Sequence, residues 1–236
     1  GSNVAQFDLA YMYEKGLGVQ KDNKLALEWY KKSAACGNAS AQNNLGYCYQ
    51  TGHLVEKNEQ EAFRFFEMAA FQGNPKACFN IATFYEHGNV VEKNLSEAAR
   101  FYEQAAVGGH AQAQYNVGLL YSSADSGLTL NLEVAAQWFL KAAEQGFADA
   151  QYKIAVCLLD GNKGSALNEA DAVKWLEKAV EQNNVQAKCL LAQCYEQGRG
   201  CFRDAKKAGQ LYLDAANRGS KAAQLLMGIC FKNGTC

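Results

Sequence analysis

The apolar positions of this chain follow one pattern that returns every 36 or 37 residues, each time starting from an alanine. An aliphatic residue or methionine follows four positions later, a small residue five positions later and, in most copies, an aromatic residue eight positions later. This spacing places the residues on one face of an α-helix. Each copy is therefore predicted to begin with a helix, called helix A here, whose small residue lets a neighbouring helix pack closely. The seven alanines are Ala5, Ala41, Ala77, Ala113, Ala150, Ala187 and Ala223.

A second helix, helix B, is predicted in each of the six complete copies. In most copies a glycine eleven residues after the alanine ends helix A, because glycine adopts the left-handed conformation of a helix C-terminus without a steric penalty. Shortly afterwards comes an Asn or Asp, whose side chain can accept hydrogen bonds from the free N–H groups of a starting helix. Helix B then carries an alanine and a pair of large, mostly aromatic residues, and it ends at Gly or, in the fifth copy, at Asn183. The predicted N-caps are Asp22, Asn58, Asn94, Asn131, Asn168 and Asp204.

Two short helices cannot enclose a core alone, but stacked hairpins bury their apolar faces against their neighbours. The sequence therefore predicts an all-α fold, a right-handed α-α superhelix (solenoid) of stacked helix hairpins. Gly1 and Ser2 are typical of residues left by cloning, and we expect one repeat domain over 3–236. Longer loops are expected at 122–127 and 162–165, where the glycine pattern is interrupted. The expected repeats are 5–40, 41–76, 77–112, 113–149, 150–186, 187–222 and a partial copy at 223–236.

The period, the glycines and the aromatic pairs recur together in segments such as 13–19, 24–30 and 113–118. In these features the chain resembles the Sel1-like repeat family, which is related to the tetratricopeptide repeats. The resemblance covers the chain from Val4 onward. It implies an adaptor that holds other proteins on its helical surface and has no enzymatic activity of its own.

The overall composition narrows the range of partners. The chain has 23 basic and 24 acidic side chains, so its bulk charge favours neither nucleic acid nor an anionic membrane surface. Its longest apolar runs, such as 154–159, are far shorter than the roughly 20 residues that a membrane span needs. We therefore expect no nucleic-acid partner and no membrane insertion, and the family resemblance implies a protein or peptide partner.

The nine cysteines are expected to be mainly structural. Four share one helix A register with apolar residues of the other copies, which predicts buried thiols that act as small hydrophobic side chains. A cysteine-rich branch of the family carries a regular pair in every repeat, and this chain does not. We therefore favour a reducing intracellular compartment, with a secretory lumen or a secreted effector left open. The four are Cys48, Cys157, Cys194 and Cys230.

No catalytic, cofactor or metal site is predicted, because the sequence has no CxxC or HxxxH and its three histidines are scattered. The histidines are expected to lie on the surface. By analogy with tetratricopeptide repeats, the partner-binding residues are expected on the groove-facing positions of helix A, two, six, nine and ten residues after the alanine. They are Tyr11, Glu14, Asn43, Tyr47, Gln50, Phe79, Thr83, Glu86, His87 and Tyr115.

Within this set, Tyr11, Asn43 and Tyr47 are the residues that we expect to be exposed contacts. Phe79 and Tyr115 are equally compatible with packing between adjacent helices.

The sequence thus favours a non-enzymatic scaffold that binds a peptide or helix of another protein in a concave groove. Two alternatives stay open at this point. One is a small hydrolase or ligand sensor that acts on a small molecule or cell-wall fragment through His87. The other is a structural spacer or oligomerisation module, and the apolar residues Met227 and Phe231 of the C-terminal edge helix could support self-association.

Overall fold

A computed structural model describes residues 2–124, 129–161 and 168–233, with side chains as far as Met227. These ranges contain thirteen α-helices and no strand, which confirms the predicted all-α class. The helices are α1 (Asn3–Lys15), α2 (Asn23–Ala35), α3 (Ala39–Thr51), α4 (Glu59–Phe71), α5 (Pro75–His87), α6 (Leu95–Val107), α7 (Ala111–Tyr121), α8 (Leu132–Glu144), α9 (Ala148–Asp160), α10 (Glu169–Glu181), α11 (Val185–Gln197), α12 (Ala205–Asn217) and α13 (Lys221–Asn233).

The chain forms two compact units, Gly1–Ala113 (unit 1) and Gln114–Cys236 (unit 2). In unit 1, α1 pairs with α2, α3 with α4 and α5 with α6, and each hairpin also packs on the next through α2 with α3 and α4 with α5. In unit 2, each helix from α8 to α12 packs on the one that follows it. Both units are therefore stacks of helix hairpins, as the repeat pattern predicts.

The predicted helix ends that fall within the described residues are confirmed. All six predicted caps of helix B accept a hydrogen bond from a backbone N–H of the first helical turn, as in the 3.0 Å contact from Leu25 N to Asp22 Oδ1. Asn183 takes the left-handed conformation expected of it, with φ at 64°. The longer loops expected at 122–127 and 162–165 fall partly or wholly outside the described residues, as do Phe231, Cys230 and Cys236 with their side chains.

The hairpin interiors follow two main packing types. In the tyrosine type, helix A carries Ala at the small position and Glu four residues later, and helix B carries a buried Tyr whose hydroxyl donates to that Glu. The O–O distances are 2.7, 2.6 and 3.0 Å for Tyr30 to Glu14, Tyr102 to Glu86 and Tyr212 to Glu196. The small residues of these three hairpins are Ala10, Ala82 and Ala192, all fully buried.

In the phenylalanine type, the small position is Gly and the facing residue of helix B is Phe. A Cβ atom at Gly46 would lie 2.6 Å from Cδ1 of Phe66, and one at Gly118 would lie 2.6 Å from Cε1 of Phe139. The ring therefore occupies the space that an alanine methyl would need. The expectation that the small residue of helix A permits close packing is confirmed. The helix that packs closely against it is helix B of the same hairpin.

The loop from helix A to helix B contains one residue with a left-handed backbone at the same position in four copies. Gly18 and Gly200 have φ at 70°, Leu54 has φ at 69° and Val90 has φ at 66°. In the sixth copy, Arg199 fastens this loop to the preceding hairpin, since its Nε donates to Glu169 Oε1 at 2.9 Å and its Nη2 donates to the carbonyl of Leu159 at 2.9 Å.

Candidate functional site

Two exposed tyrosines occupy equivalent positions on α1 and α3 of unit 1. Tyr11 is 43% exposed and Tyr47 is 54% exposed. Lys15 Nζ lies 5.8 Å from the centroid of the Tyr11 ring. The pKa of Lys15 is raised mainly by its hydrogen bond to Glu14, and coulombic interactions with both tyrosines add to the shift. Tyr11, Glu14, Lys15, Tyr47 and His53 are called the tyrosine surface below.

The carboxylate of Glu14 contacts other residues of the tyrosine surface and the hairpin interior. It accepts hydrogen bonds from Lys15 Nζ at 2.7 Å and from Tyr30 Oη at 2.7 Å, and His53 Nε2 of the next repeat lies 3.6 Å away. Burial raises the pKa of Glu14, but the two hydrogen bonds outweigh this and hold the pKa below its ordinary value. Glu14 therefore links the hairpin interior to the exposed residues around it.

Glu86 occupies the equivalent position in α5 and accepts the hydroxyl of Tyr102 at 2.6 Å. Both glutamates of the predicted groove set thus belong to tyrosine-type hairpin interiors. Sequence analysis missed this role, although the signal was present, because each helix A with a Glu at this register is followed by a helix B with a Tyr.

Three further residues of the predicted set meet in one shallow depression of about 220 Å³ between α3 and α5. It is lined by Gln50, Thr83 and His87. His87 Nδ1 lies 2.8 Å from the carbonyl of Thr83, so this nitrogen carries the proton and donates within its own helix. The histidine ion pair in the described part of the chain is that of His53 with Glu14 and does not involve His87.

Phe79 and Tyr115 pack between helices, the second of the two possibilities for these residues. The Phe79 ring stacks on His110 with centroids 4.5 Å apart and contacts Tyr102 at 5.6 Å. In unit 2, Tyr115 packs against Phe139 at 5.7 Å and Phe147 at 5.2 Å.

The expected exposure of Asn43 was wrong, since only 8% of the residue is accessible. Its Oδ1 accepts a hydrogen bond from Asn80 Nδ2 of the next helix A at 3.4 Å. The neighbouring hairpin covers the side chain, and a helical register alone does not reveal such a neighbour.

A second set of caps, at the start of helix A, was also missed by sequence analysis. Asn38, Asn74 and Asn184 accept backbone N–H groups at 2.9, 3.1 and 2.8 Å. In α7 this position is His110, and the N–H of Ala113 donates to its Nδ1 at 3.2 Å. The signal was the residue three before each repeat alanine, which is Asn, Ser or His in six of the seven copies.

His110 is therefore a half-buried cap, and the expectation that it lies on the surface was wrong. Burial lowers the pKa of its ring, and the Lys76 ammonium lowers it further. Because Nδ1 accepts a hydrogen bond, the neutral ring carries its proton on Nε2.

We predict that His110 makes the stability of the protein depend on pH. Below about pH 6.5 the unfolded chain binds a proton at this residue while the folded chain does not. Its contribution is thus complete above that pH and is lost as the pH falls through the lower pKa of the folded state. His110→Asn installs the cap used at residues 38, 74 and 184. When the free energy of unfolding is measured with urea between about pH 7.5 and 5, it should fall less steeply with decreasing pH for the variant than for the unaltered protein.

All other ionisable side chains are common to both proteins, so the difference in slope isolates His110. The variant also loses the stacking of the His110 ring on Phe79, but this lowers the free energy of unfolding equally at every pH and leaves the slope unchanged. Parallel pH profiles for the two proteins would contradict the prediction.

Three cysteines expected in the core, Cys48, Cys157 and Cys194, are buried there. Burial raises the pKa of Cys48 and of Cys194 to about 11. Cys36, Cys48, Cys78, Cys189, Cys194 and Cys201 are free thiols. Within the described residues, no group of His, Cys, Asp and Glu side chains could hold a metal ion. None of the described helices is long and apolar enough to cross a membrane.

The Sel1 repeat family model matches six consecutive segments of the chain, at 3–38, 39–74, 75–110, 111–147, 148–184 and 185–220. These segments begin two residues before the expected repeats, each at the first residue of a helix A. No curated protein sequence matches the chain significantly.

Several solved structures are similar. A protective antigen of uropathogenic Escherichia coli strains, which displays an SLR fold, is 28% identical with a TM-score of 0.84. The match covers 99% of this chain and 50% of the antigen, so the chain spans half the length of that protein. A Sel1 repeat protein from Oxalobacter formigenes is 31% identical with a TM-score of 0.74, covering 91% of this chain and 85% of the other.

An immunity protein from Pseudomonas aeruginosa is 19% identical with a TM-score of 0.54, over 94% of this chain and 83% of the other. At this identity the likeness concerns the fold alone.

Proposed function

The chain belongs to the Sel1 repeat family, and from this premise we propose that it is a non-enzymatic scaffold that binds a peptide or helix of a partner protein on the tyrosine surface. Proteins of this family are generally scaffolds for protein–protein interactions. The observation that carries the proposal is the exposure of Tyr11 and Tyr47 at one register of two consecutive hairpins. Tyrosine is among the residues that contribute most to binding energy at protein interfaces.

The surroundings of the two rings also support binding. Glu14 is fixed by the buried hydroxyl of Tyr30, and it holds Lys15 and draws His53 close. Side chains that are already ordered lose less conformational entropy when a partner binds. The tyrosine surface therefore combines two apolar rings with polar groups held in place between adjacent repeats.

The double variant Tyr11→Ala/Tyr47→Ala tests the proposal. Partners captured from the native lysate by the unaltered protein would be identified by mass spectrometry, and the affinity of each would then be measured by calorimetry. Loss of two hot-spot rings should weaken a partner that binds this surface by about tenfold or more. Both tyrosines are exposed, so the variant should keep its helical circular dichroism and its unfolding midpoint.

The matched control is Phe71→Ala. Phe71 is 94% exposed at the end of α4, so this change removes an exposed aromatic ring from a helix B rather than from a helix A. We expect Phe71→Ala to bind as the unaltered protein does. Equal binding by the folded double variant would place the partner site elsewhere, and the spacer or oligomerisation alternative would then be favoured.

A further inference from the structure

The exposed faces of α2 and α4 in unit 1 carry opposite charges at equivalent positions. Lys31 in α2 occupies the position that Glu67 occupies in α4. About one turn earlier in each helix, Glu28 occupies the position of Arg64. All four side chains are exposed. Arg64 pairs within its own helix with Glu61 at 3.6 Å, whereas Glu28, Lys31 and Glu67 take part in no ion pair in the region that the structure describes.

An apolar contact point lies one turn beyond these charges. The ring of Phe71 at the end of α4 is almost fully exposed, and Met68 beside it is 40% exposed. The equivalent residue of α2 is Ala35, which is exposed and small. A shallow depression of about 550 Å³ next to Phe71 is also lined by Gln42. Gln42 Nε2 donates to the carbonyl of Ala34 at 3.2 Å, so this depression reaches the C-terminal end of α2.

The pattern of charges is complementary to itself. Equivalent helices of consecutive repeats run in the same direction. A two-fold axis parallel to α2 and α4 and between them would therefore place α2 of one copy on α4 of a second copy, with equivalent positions facing each other. Lys31 then faces Glu67 of the second copy, and Glu28 faces Arg64. A partner surface of uniform charge would match one charge of each helix and repel the other.

The apolar residues fit the same arrangement. Phe71 of each copy meets Ala35 of the other, where the small side chain and the depression at the end of α2 leave room for the ring. An exposed aromatic ring beside a methionine is typical of an interaction surface. The charges therefore set the orientation of the two copies, and the two Phe71 rings supply the buried apolar contact.

We propose that unit 1 forms a two-fold dimer through this face of α2 and α4, called the helix B face below. Two helices per copy bury an area at the low end of specific interfaces, so the dimer is weak and reversible, with a dissociation constant on the order of micromolar. The inference goes beyond the proposed function, because the tyrosine surface lies on α1 and α3. It also involves other residues than the C-terminal edge helix.

The test is analytical ultracentrifugation with a reducing agent, at protein concentrations from about 1 to 500 μM. The unaltered protein should form a dimer as its concentration rises, and added salt should weaken this dimer. Lys31→Glu and Glu67→Lys each place like charges opposite one another twice in the symmetric dimer, so each variant alone should associate at least about tenfold more weakly. In an equimolar mixture of the two variants, a heterodimer has opposite charges at both contacts. The mixture should therefore dimerise at least as tightly as the unaltered protein.

Phe71→Ala should also weaken the dimer about tenfold, because it removes the apolar contact. The control is Glu181→Lys, which reverses an exposed charge on α10 of unit 2 and should leave the dimer unchanged. All of these residues are exposed, so the variants should keep the helical circular dichroism of the unaltered protein.

A protein that stays monomeric over the whole range would overturn the inference, as would a mixture that associates no better than either variant alone or equal weakening by Glu181→Lys. A monomeric protein whose captured partner is lost with Phe71→Ala would show that another protein occupies the helix B face, and this too would overturn it. The capture experiment with Tyr11 and Tyr47 is independent, because it concerns helices A. A monomeric protein that loses its partner only with those two substitutions would therefore refute the dimer and leave the proposed function intact.

Discussion

Gly200→Ala is expected to destabilise the protein by about 2–5 kcal/mol, the sum of a left-handed backbone and an overpacked contact. Gly200 has φ at 70°, a conformation that a residue with a Cβ atom adopts only at a cost. A Cβ atom there would also overlap the backbone carbonyl of Glu169 and lie 3.0 Å from the backbone N of Ala170. These are backbone atoms at the start of α10, and Arg199 fastens the loop to the same hairpin, so neither side can yield easily.

Gly18→Ala is the matched control for this change. Gly18 occupies the same loop position with the same φ of 70°, but its nearest contact would be the flexible end of Met12 at 3.6 Å, an ordinary packing distance. It should therefore cost only the backbone strain, about 1–2 kcal/mol. Urea unfolding of both variants gives the comparison. Equal losses would show that contact with Glu169 contributes nothing and that the loop can move away from α10.

Gly46→Ala is expected to cost about 1–2 kcal/mol, and converting the rest of the hairpin to the tyrosine type should recover most of that loss. The new methyl group would collide with the Phe66 ring, for which overpacking costs about 1–3 kcal/mol, partly offset by the higher helix propensity of alanine. Adding Phe66→Tyr and Gln50→Glu gives the second hairpin the residues found in the first. The hydroxyl should then donate to the new carboxylate as Tyr30 does to Glu14.

The intermediate variants separate the contributions of the three residues. Gly46→Ala/Phe66→Tyr without the glutamate should be less stable than the triple variant, since the hydroxyl then faces an amide instead of a carboxylate. Ala10→Gly in the first hairpin is the opposite change, and it should lose about 1 kcal/mol through propensity and a small void instead of a clash. If the triple variant is no more stable than Gly46→Ala alone, the three residues do not act together as a packing arrangement that one hairpin can exchange for the other.

Much of the fold could be predicted because its signals are local. The caps at Asn58 and Asn94 and the left-handed turn at Asn183 depend on residues within one turn of the chain, and all three are confirmed. The buried register of Cys48 and Cys194 follows from comparison with the apolar residues of other copies. A repeat supplies such a comparison within a single sequence.

The candidate site was harder to predict, because its decisive contacts lie far apart in sequence. Glu14 is 16 residues from Tyr30, and Asn43 is 37 residues from Asn80. A helical register states which residues share a face, but whether that face meets solvent or the next hairpin depends on how the hairpins stack. His110 was misjudged for a related reason, since its ring caps a helix start that Asn or Ser caps in four other copies.

The two packing types also bear on how the chain avoids pairing its helices wrongly while it folds. Neighbouring repeats with similar backbones are prone to misassembly and domain swapping. If α3 replaced α1 as the hairpin partner of α2, the hydroxyl of Tyr30 would meet Gln50 in place of Glu14. If α1 paired with α4, the Phe66 ring would press against the methyl group of Ala10. Each wrong pairing thus leaves a polar group without its partner or creates a steric clash. The repeats have similar backbones but different interiors, and these differences favour pairing of each helix with its native hairpin partner.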